Sequence, residues 1–485
     1  MSKMTKNKLA LLALAGLATV ASGSATAAMT VDSKGGIEIF EIDNNDYWFK
    51  FSGRMMFDQV FFDNDNDDNN FSSSVPSGAH IRSTRLTFKG GVGHNWVYKL
   101  DVDVIDNPGD IDVGINEAFV GYVCNNLWFA VGQVSIPFGL ENWSSTAELT
   151  FMEPSLPSQA FSPIGGIGLY GEWHSDVFTV EAAIYHPNPA GSFQTGDDIA
   201  NPALFPGPGG TTGAPIAGTG PNDSTPGSDD IGYAARITFS PVHNKHTVYH
   251  AGVSARWEGF HEHANNFNYT TRLEAFNRQT PIIFSNIPPN TVDDHTVWGF
   301  ELAGRWGPVL LQGEYMVADV DRDDNITLVF PDGIVRNAGG DLDYYGYYIA
   351  ASYVLTGEAR EYDFDNGTFG SVRPCSRKGA WEIGIRHSYV NLLDNTDYAN
   401  TPFFRNIDFV ANGAADSSGQ LVPNAGNKIP TGIGVNSQVG GVHSTVIGLN
   451  WYVNKNVRFT ANYVRTDMPE SDDVDALGLR AQVVW

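Results

Sequence analysis

Ala476-Leu477-Gly478-Leu479-Arg480-Ala481-Gln482-Val483-Val484-Trp485 carries a two-residue period. One face holds Leu477, Leu479, Ala481, Val483 and Trp485, while the other holds Gly478, Arg480 and Gln482. Successive side chains of a strand point to opposite faces, so this strand has one continuous apolar face and one charged, amide-bearing face. The pattern recurs upstream. Trp96, Tyr98, Leu100, Val102 and Val104 alternate with Lys99, Asp101 and Asp103, and Tyr249, Ala251, Val253, Ala255 and Trp257 alternate with His250, Ser254 and Arg256. Trp298, Phe300, Leu302 and Trp306 alternate with Glu301 and Arg305. Such strands suit a one-sided soluble sandwich or a barrel wall standing between lipid and water.

Connection lengths separate the two. Residues 93–95, 125–126, 174–176, 242–246, 307–308 and 454–456 form short turns, whereas 64–79, 135–164, 187–230, 261–294, 322–341 and 395–439 form long ones. Short and long connections alternating in this way mark an outer-membrane barrel with short periplasmic turns and long outer loops. One connection, 356–378, is long on the short-turn side. The reading is all-β: a transmembrane antiparallel β-barrel of about sixteen strands over residues 46–485, behind an N-terminal periplasmic segment at 28–45. Strand centres are predicted near Phe51, Phe88, Leu100, Phe119, Phe129, Leu169, Val180, Ile237, Val253, Phe300, Leu311, Tyr348, Ile385, Ile447, Phe459 and Leu479.

Lys3, Lys6 and Lys8, the apolar stretch 9–20 and the small residues 22–28 have the layout of a secretory signal peptide over residues 1–27, with Ala25-Thr26-Ala27 fitting the cleavage rule. The apolar stretch falls short of the ~20 residues that a membrane-spanning helix needs. The net charge of −26 argues against nucleic acid as a partner. Cys124 and Cys375 lie far apart without a CxxC pattern; a disulfide and two separate thiols are both compatible with export.

Gly166-Ile167-Gly168-Leu169-Tyr170-Gly171 matches GxGxxG, but the glycines lie in an alternating strand and lack the strand-then-helix setting of a dinucleotide site. GxSxG, HExxH and Walker motifs are absent from the sequence, so no catalytic residue, cofactor or metal is expected. His261-Glu262-His263 reads as a solvated loop. The acidic runs 63–68, 319–324 and 470–475 read as solvated tips on the outer side, with divalent cations bridging to lipopolysaccharide phosphates as the sharper alternative.

Three blocks are more specific. The first runs Gly132-Gln133, Pro137-Phe138-Gly139-Leu140-Glu141, Thr150-Phe151-Met152-Glu153-Pro154-Ser155-Leu156 and Ala160-Phe161-Ser162-Pro163. The second runs Leu355-Thr356-Gly357-Glu358-Ala359-Arg360-Glu361-Tyr362, Gly367-Thr368-Phe369-Gly370, Pro374, Gly379-Ala380-Trp381-Glu382-Ile383 and Arg386. The third is Ile81-Arg82, Arg85-Leu86, Gly90, Trp96 and Tyr98-Lys99-Leu100. Together they resemble the phosphate-selective porin family, porins O and P, over most of the chain from about Gly35. The resemblance implies a sixteen-stranded barrel, a homotrimer, a shared long periplasmic connection, and a third loop near 135–164 folded inward, with Glu141 and Glu153 in or near the constriction.

Strand parity turns Arg54, Arg85, Lys99, Arg236, Arg256, Arg305, Arg386, Arg458 and Arg480 into the lumen as channel-lining candidates. Asp58, Asp101, Asp103, Glu117, Glu172, Glu181, Glu258, Glu301, Glu314 and Glu382 face the same way, so the lumen is mixed in sign and many pairs form ladders across strands. Pro163-Ile164-Gly165-Gly166 stands where the family carries a basic pair. The expectation is an outer-membrane porin of a Gram-negative bacterium: a water-filled channel for passive diffusion of small hydrophilic solutes or ions, with phosphate and other anions among the candidates. Its partners would be outer-membrane lipid and lipopolysaccharide. A phospholipase-like barrel enzyme and an adhesin with a blocked lumen are the alternatives.

Overall fold

The computed structural model describes residues 27–31, 36–41, 47–63, 77–107, 110–163, 165–187, 230–264, 267–275, 283–285, 287, 292–322, 327–329, 335–337, 340–392, 394, 441–467 and 473–485. Residues 1–26, where the sequence predicts a signal peptide, most of the 63–68 and 187–230 loops, and the side chains of His261, Glu262 and His263 lie outside the described residues.

Sixteen antiparallel strands close one sheet. They are β1 Tyr47–Phe62, β2 Gly78–Val92, β3 Trp96–Asn107, β4 Asp110–Cys124, β5 Leu127–Val134, β6 Gly166–His174, β7 Phe178–Pro187, β8 Ile231–His243, β9 Thr247–Ala264, β10 Val292–Trp306, β11 Val309–Arg322, β12 Leu342–Val354, β13 Ala380–Asn391, β14 Val442–Tyr452, β15 Val457–Asp467 and β16 Val474–Val484. Every strand centre read from the sequence falls inside one of them. Each strand pairs with its successor, and β16 returns to β1 from Ala476↔Phe62 to Val484↔Arg54.

Beyond Arg54, Trp485 takes over the edge of β1, exchanging backbone bonds with Gly53 at 2.9 Å in both directions. Ile37–Glu41, itself hairpinned to Ala27–Val31, then pairs with residues 48–51. β1 is therefore bonded along both edges, which a hydrocarbon environment demands because it offers backbone groups no other partner.

The two-residue period sorts the wall. On β7, β12 and β13 buried and exposed side chains alternate almost without exception. Outward residues such as Leu302 and Ile349 are 67% and 65% exposed, an arrangement that suits lipid and not water. Aromatic pairs ring the short-turn end: Trp96 with Tyr122, Tyr249 with Trp306, and Trp381 with Trp451 at 5.1, 5.9 and 5.5 Å between ring centroids. Amphipathic rings prefer that interfacial level.

Gly53 is the tight point of the seam. A Cβ there would sit 2.5 Å from the Arg85 carbonyl oxygen and 2.7 Å from the Trp485 ring. Gly53→Val is expected to cost ~1–3 kcal/mol through this overpacking. Urea unfolding from detergent micelles checks it: the midpoint should fall relative to the parent protein.

Candidate functional site: the lumen and its inward-folded segments

Residues 135–163 leave β5 and run through the lumen ahead of β6. The sequence makes two short helical turns there. The first, α1 Leu140–Trp143, follows Gly139 at φ 66°. The second, α2 Leu156–Phe161, carries Pro157 in its first turn and stops at Ser162 before Pro163; a helix start is where proline's missing N–H does no harm. Phe138, Phe151, Leu156 and Phe161 are buried in a cluster with Val297, Met316, Ala318 and Val446 of the wall.

Polar anchors fix the backbone of this loop. Arg386 donates to Glu141 at 2.7 Å and to the Glu153 carbonyl at 2.9 Å. Arg458 reaches the Leu149 carbonyl at 2.8 Å, Asn450 that of Thr150 at 2.8 Å, and Gln482 that of Ala147 at 2.9 Å. Glu314 accepts from the amides of Leu140 and Glu141 at 2.6 and 2.9 Å. Arg480 grips Asp58 with two bonds of 2.7 and 2.6 Å, Glu153 at 2.6 Å, and the Met152 carbonyl. Four of these six holders belong to β11 and β13 to β15, and the other two, Arg480 and Gln482, to β16, so the loop covers that side of the wall.

A second segment enters from the short-turn end. The long connection 356–378 folds as a hairpin, Arg360–Asp363 with Thr368–Val372. Arg236 uses all five of its N–H donors on Glu181, Glu301 and the Asn366 and Gly367 carbonyls of the hairpin tip. Arg360 does the same with Glu382, Tyr452 and the carbonyls of Gly370 and Glu148. Since Glu148 lies in the loop from the opposite end, one guanidinium joins the two segments; Leu140 and Phe369 share a buried cluster beside it. Residues 267–275 add a third layer, where Glu274 accepts from the Leu156 amide at 2.9 Å, from Ser388 at 2.5 Å and from Ser444 at 3.2 Å, and pairs with Arg386 at 3.0 Å.

The nine basic candidates divide accordingly. Arg236, Arg386, Arg458 and Arg480 are anchors, as described. Arg256 pairs with Glu258 at 3.0 Å and holds the Phe161 carbonyl at 3.1 Å, and Arg305 donates to the carbonyls of Asn244 and Arg360. These six are at most 6% exposed. Arg54, Arg85 and Lys99 stand together on β1 to β3. Arg85 pairs with Asp103 at 2.9 Å and Asp101 at 3.6 Å, Lys99 pairs with Glu117, and their side chains keep 22% and 27% exposure. Arg54 meets the hydroxyls of Ser83 at 3.2 Å and Ser145 at 3.4 Å. Glu141 and Glu153 are both buried between the third loop and the wall.

Further lumen residues join the group on β1 to β3. Lys50 lies directly across from Lys89, and Lys89 from Lys99; both share the parity of Arg54 and Arg85, which was the available signal. Arg82 was hidden from parity, because the register shifts between Met56↔Ser83 and Phe57↔Ile81. Such a bulge turns two consecutive residues toward one side: Ser83 meets Arg54, while Arg82 grips Glu153 with bonds of 2.8 and 2.9 Å.

The comparisons with known proteins fall in with this architecture. The family model for phosphate-selective porin O and P matches residues 49–485. The chain belongs to that family. It is 26% identical to Porin O of Pseudomonas aeruginosa over 98% of its own length and 97% of the relative's. Among solved structures it resembles an anion-selective porin from Comamonas acidovorans, with a TM-score of 0.47, 8% identity and coverage of 90% of this chain and 100% of that one. It also resembles the outer membrane channel DcaP of Acinetobacter baumannii, with a TM-score of 0.45, 13% identity and coverage of 91% and 98%. The protein is an outer-membrane porin of Gram-negative type.

Glu153 makes the hold on the porin's inward-folded loop sensitive to acid. Burial favours its neutral form, but Arg82 and Arg480 outweigh burial and hold its pKa down at about 2. A carboxyl depressed in the folded state stabilises it above the ordinary value, and that contribution is lost as pH falls from about 4.5 toward about 2. Single-channel current is therefore expected to be steady from neutral pH to about 5 and noisier below about 4, recorded in planar bilayers. Arg480→Met, which strands Asp58 at a cost of ~3–5 kcal/mol and leaves Glu153 to Arg82 alone, is expected to produce the same noise at neutral pH.

Proposed function

We propose that the porin passes small inorganic anions, phosphate among them, with a moderate preference over cations, along a water path beside β1 to β4. The observation that carries this is the division of charge. Over the whole inward face the signs nearly balance, but six arginines are sealed among carboxylates and loop carbonyls. Among the described residues of β1 to β4, the inward charges that keep partial exposure are Arg82, Arg85, Lys89 and Lys99 against Glu117, with Lys50, Arg54, Asp101 and Asp103, and Glu153 of the loop, buried beside them.

Like charges directly opposite on neighbouring strands are unfavourable, so the Lys50–Lys89–Lys99 row gains when an anion stands before it. An anion that gives up hydration needs closely spaced cationic donors. The four carboxylates keep the preference moderate, which also suits passage, since a site that holds its ion too tightly does not conduct.

In this reading no residue performs covalent chemistry; rate is set by width and charge. The porin assembles as a homotrimer, with lipid against its apolar belt and lipopolysaccharide around its outer rim.

Reversal potentials in a KCl gradient test the reading. The parent channel is expected to favour chloride, and Lys50→Glu with Lys89→Glu, which moves the patch by four charge units, is expected to reverse the sign. A parent channel that favours potassium would overturn it.

A further inference from the structure

Beside the basic wall, the inward face turns aromatic. Phe119 of β4 stands directly across from Lys99. Its ring lies 5.4 Å from that of Trp128 of β5, edge to face at 66°. Trp128 meets Tyr170 of β6 at 4.9 Å and 61°, and Trp143 of the constriction loop lies over Tyr170 at 6.1 Å and 21°. Four rings thus run without a break from the wall to the loop.

Tyr170 is buried, with its hydroxyl donated toward Glu172 and Glu181 at 3.1 and 3.3 Å. It serves as the base of the row. Phe119, Trp128 and Trp143 are only half-buried, although they point into the barrel, where lipid cannot reward their exposure. The Trp143 indole N–H is buried and has no acceptor among the described residues, an exception in folded proteins. Rings serving only as filler beneath the loop would be sealed, as Phe138 and Phe161 are at 0% exposure.

We infer that this row is a subsite for the ring of a small aromatic anion, a planar arene bearing one carboxylate or phosphate group. The ring packs on Trp128 and Phe119 edge to face, the geometry that aromatic pairs favour. The anionic group meets Lys99 and Arg85. Phe119 and Lys99 are a cross-strand pair, with Cβ atoms about 4.5–5.5 Å apart, so ring and charge of one small molecule reach both. The inference rests on the anion path proposed above.

The test uses benzoate and cyclohexanecarboxylate, which share charge and ring size and differ in the π system, added to the intact porin in planar bilayers while KCl current is recorded. Benzoate is expected to block at a concentration about fivefold lower than cyclohexanecarboxylate, the scale of one aromatic pair. In Phe119→Leu and Trp128→Leu that ratio is expected to fall below about twofold, with the KCl current of each variant showing that its channels are open.

Equal block of the parent porin by the two acids overturns the subsite without any variant having to fold. A ratio that survives both substitutions overturns it as well. The KCl reversal potential, taken in the same membranes, separates the two readings. Chloride preference with equal block sinks the aromatic subsite alone. Potassium preference, with benzylammonium blocking in place of benzoate, sinks the anion path and the subsite with it.

Discussion

A guanidinium shut away from water needs acceptors for five N–H groups, and the interior of this barrel is arranged around that demand. β-Strands spend their own carbonyls on the neighbouring strands, so inward arginines can look only to side-chain carboxylates or to backbone from elsewhere. Arg480, Arg458, Arg386, Arg256, Arg236 and Arg360 each take a carbonyl from a segment that is not a barrel strand. The inward loops are as much the acceptors of the wall as the wall is their support. A buried ion pair is weak evidence for net stability, because desolvation consumes most of the attraction; its contribution here is position, since each carbonyl is held at one place against one strand.

That arrangement couples the two ends of the channel. Arg360 belongs to the hairpin from the short-turn end, pairs with Glu382 on β13, and takes the Glu148 carbonyl of the loop that enters from the other end. Arg236 ties the same hairpin to β7, β8 and β10 through Glu181 and Glu301. The inward loop and the hairpin are thus clamped to each other and to the wall, and displacement of either segment strands the donors of the other. A narrow passage can keep its width under thermal motion when its narrowing elements are cross-braced in this way.

The wall was legible in the sequence because lipid and water enforce a period of two on every strand, and sixteen repetitions of a weak signal make a strong one. Parity also placed Arg236, Arg386 and Arg480 on the correct face. It could not tell what each of them meets there, since those partners are loop carbonyls, which any residue type supplies and no motif marks. Arg82 was missed because a bulge breaks the period at that residue. Glu274 was missed because it sits in the 261–294 loop, where no period exists to read. The family motif around Glu141 and Glu153 did point to the third loop, and both carboxylates are held there by arginines of the wall.

A count of charges over a lumen therefore says little about what the lumen conducts. The inward carboxylates and cations of this porin nearly cancel, and the chain as a whole is acidic at −26, yet an ion in transit responds to groups that water still reaches. Burial removes charges in clusters: Arg236 leaves with Glu181 and Glu301, and Arg480 with Asp58 and Glu153. The remainder need not resemble the total. Here the third loop is fastened mainly to β11 and β13 to β16, while Arg85, Lys89 and Lys99 on β2 and β3 keep partial exposure. The loop, which carries Glu141, Glu148 and Glu153 and no lysine or arginine, thereby decides which charges of the wall stay open to water.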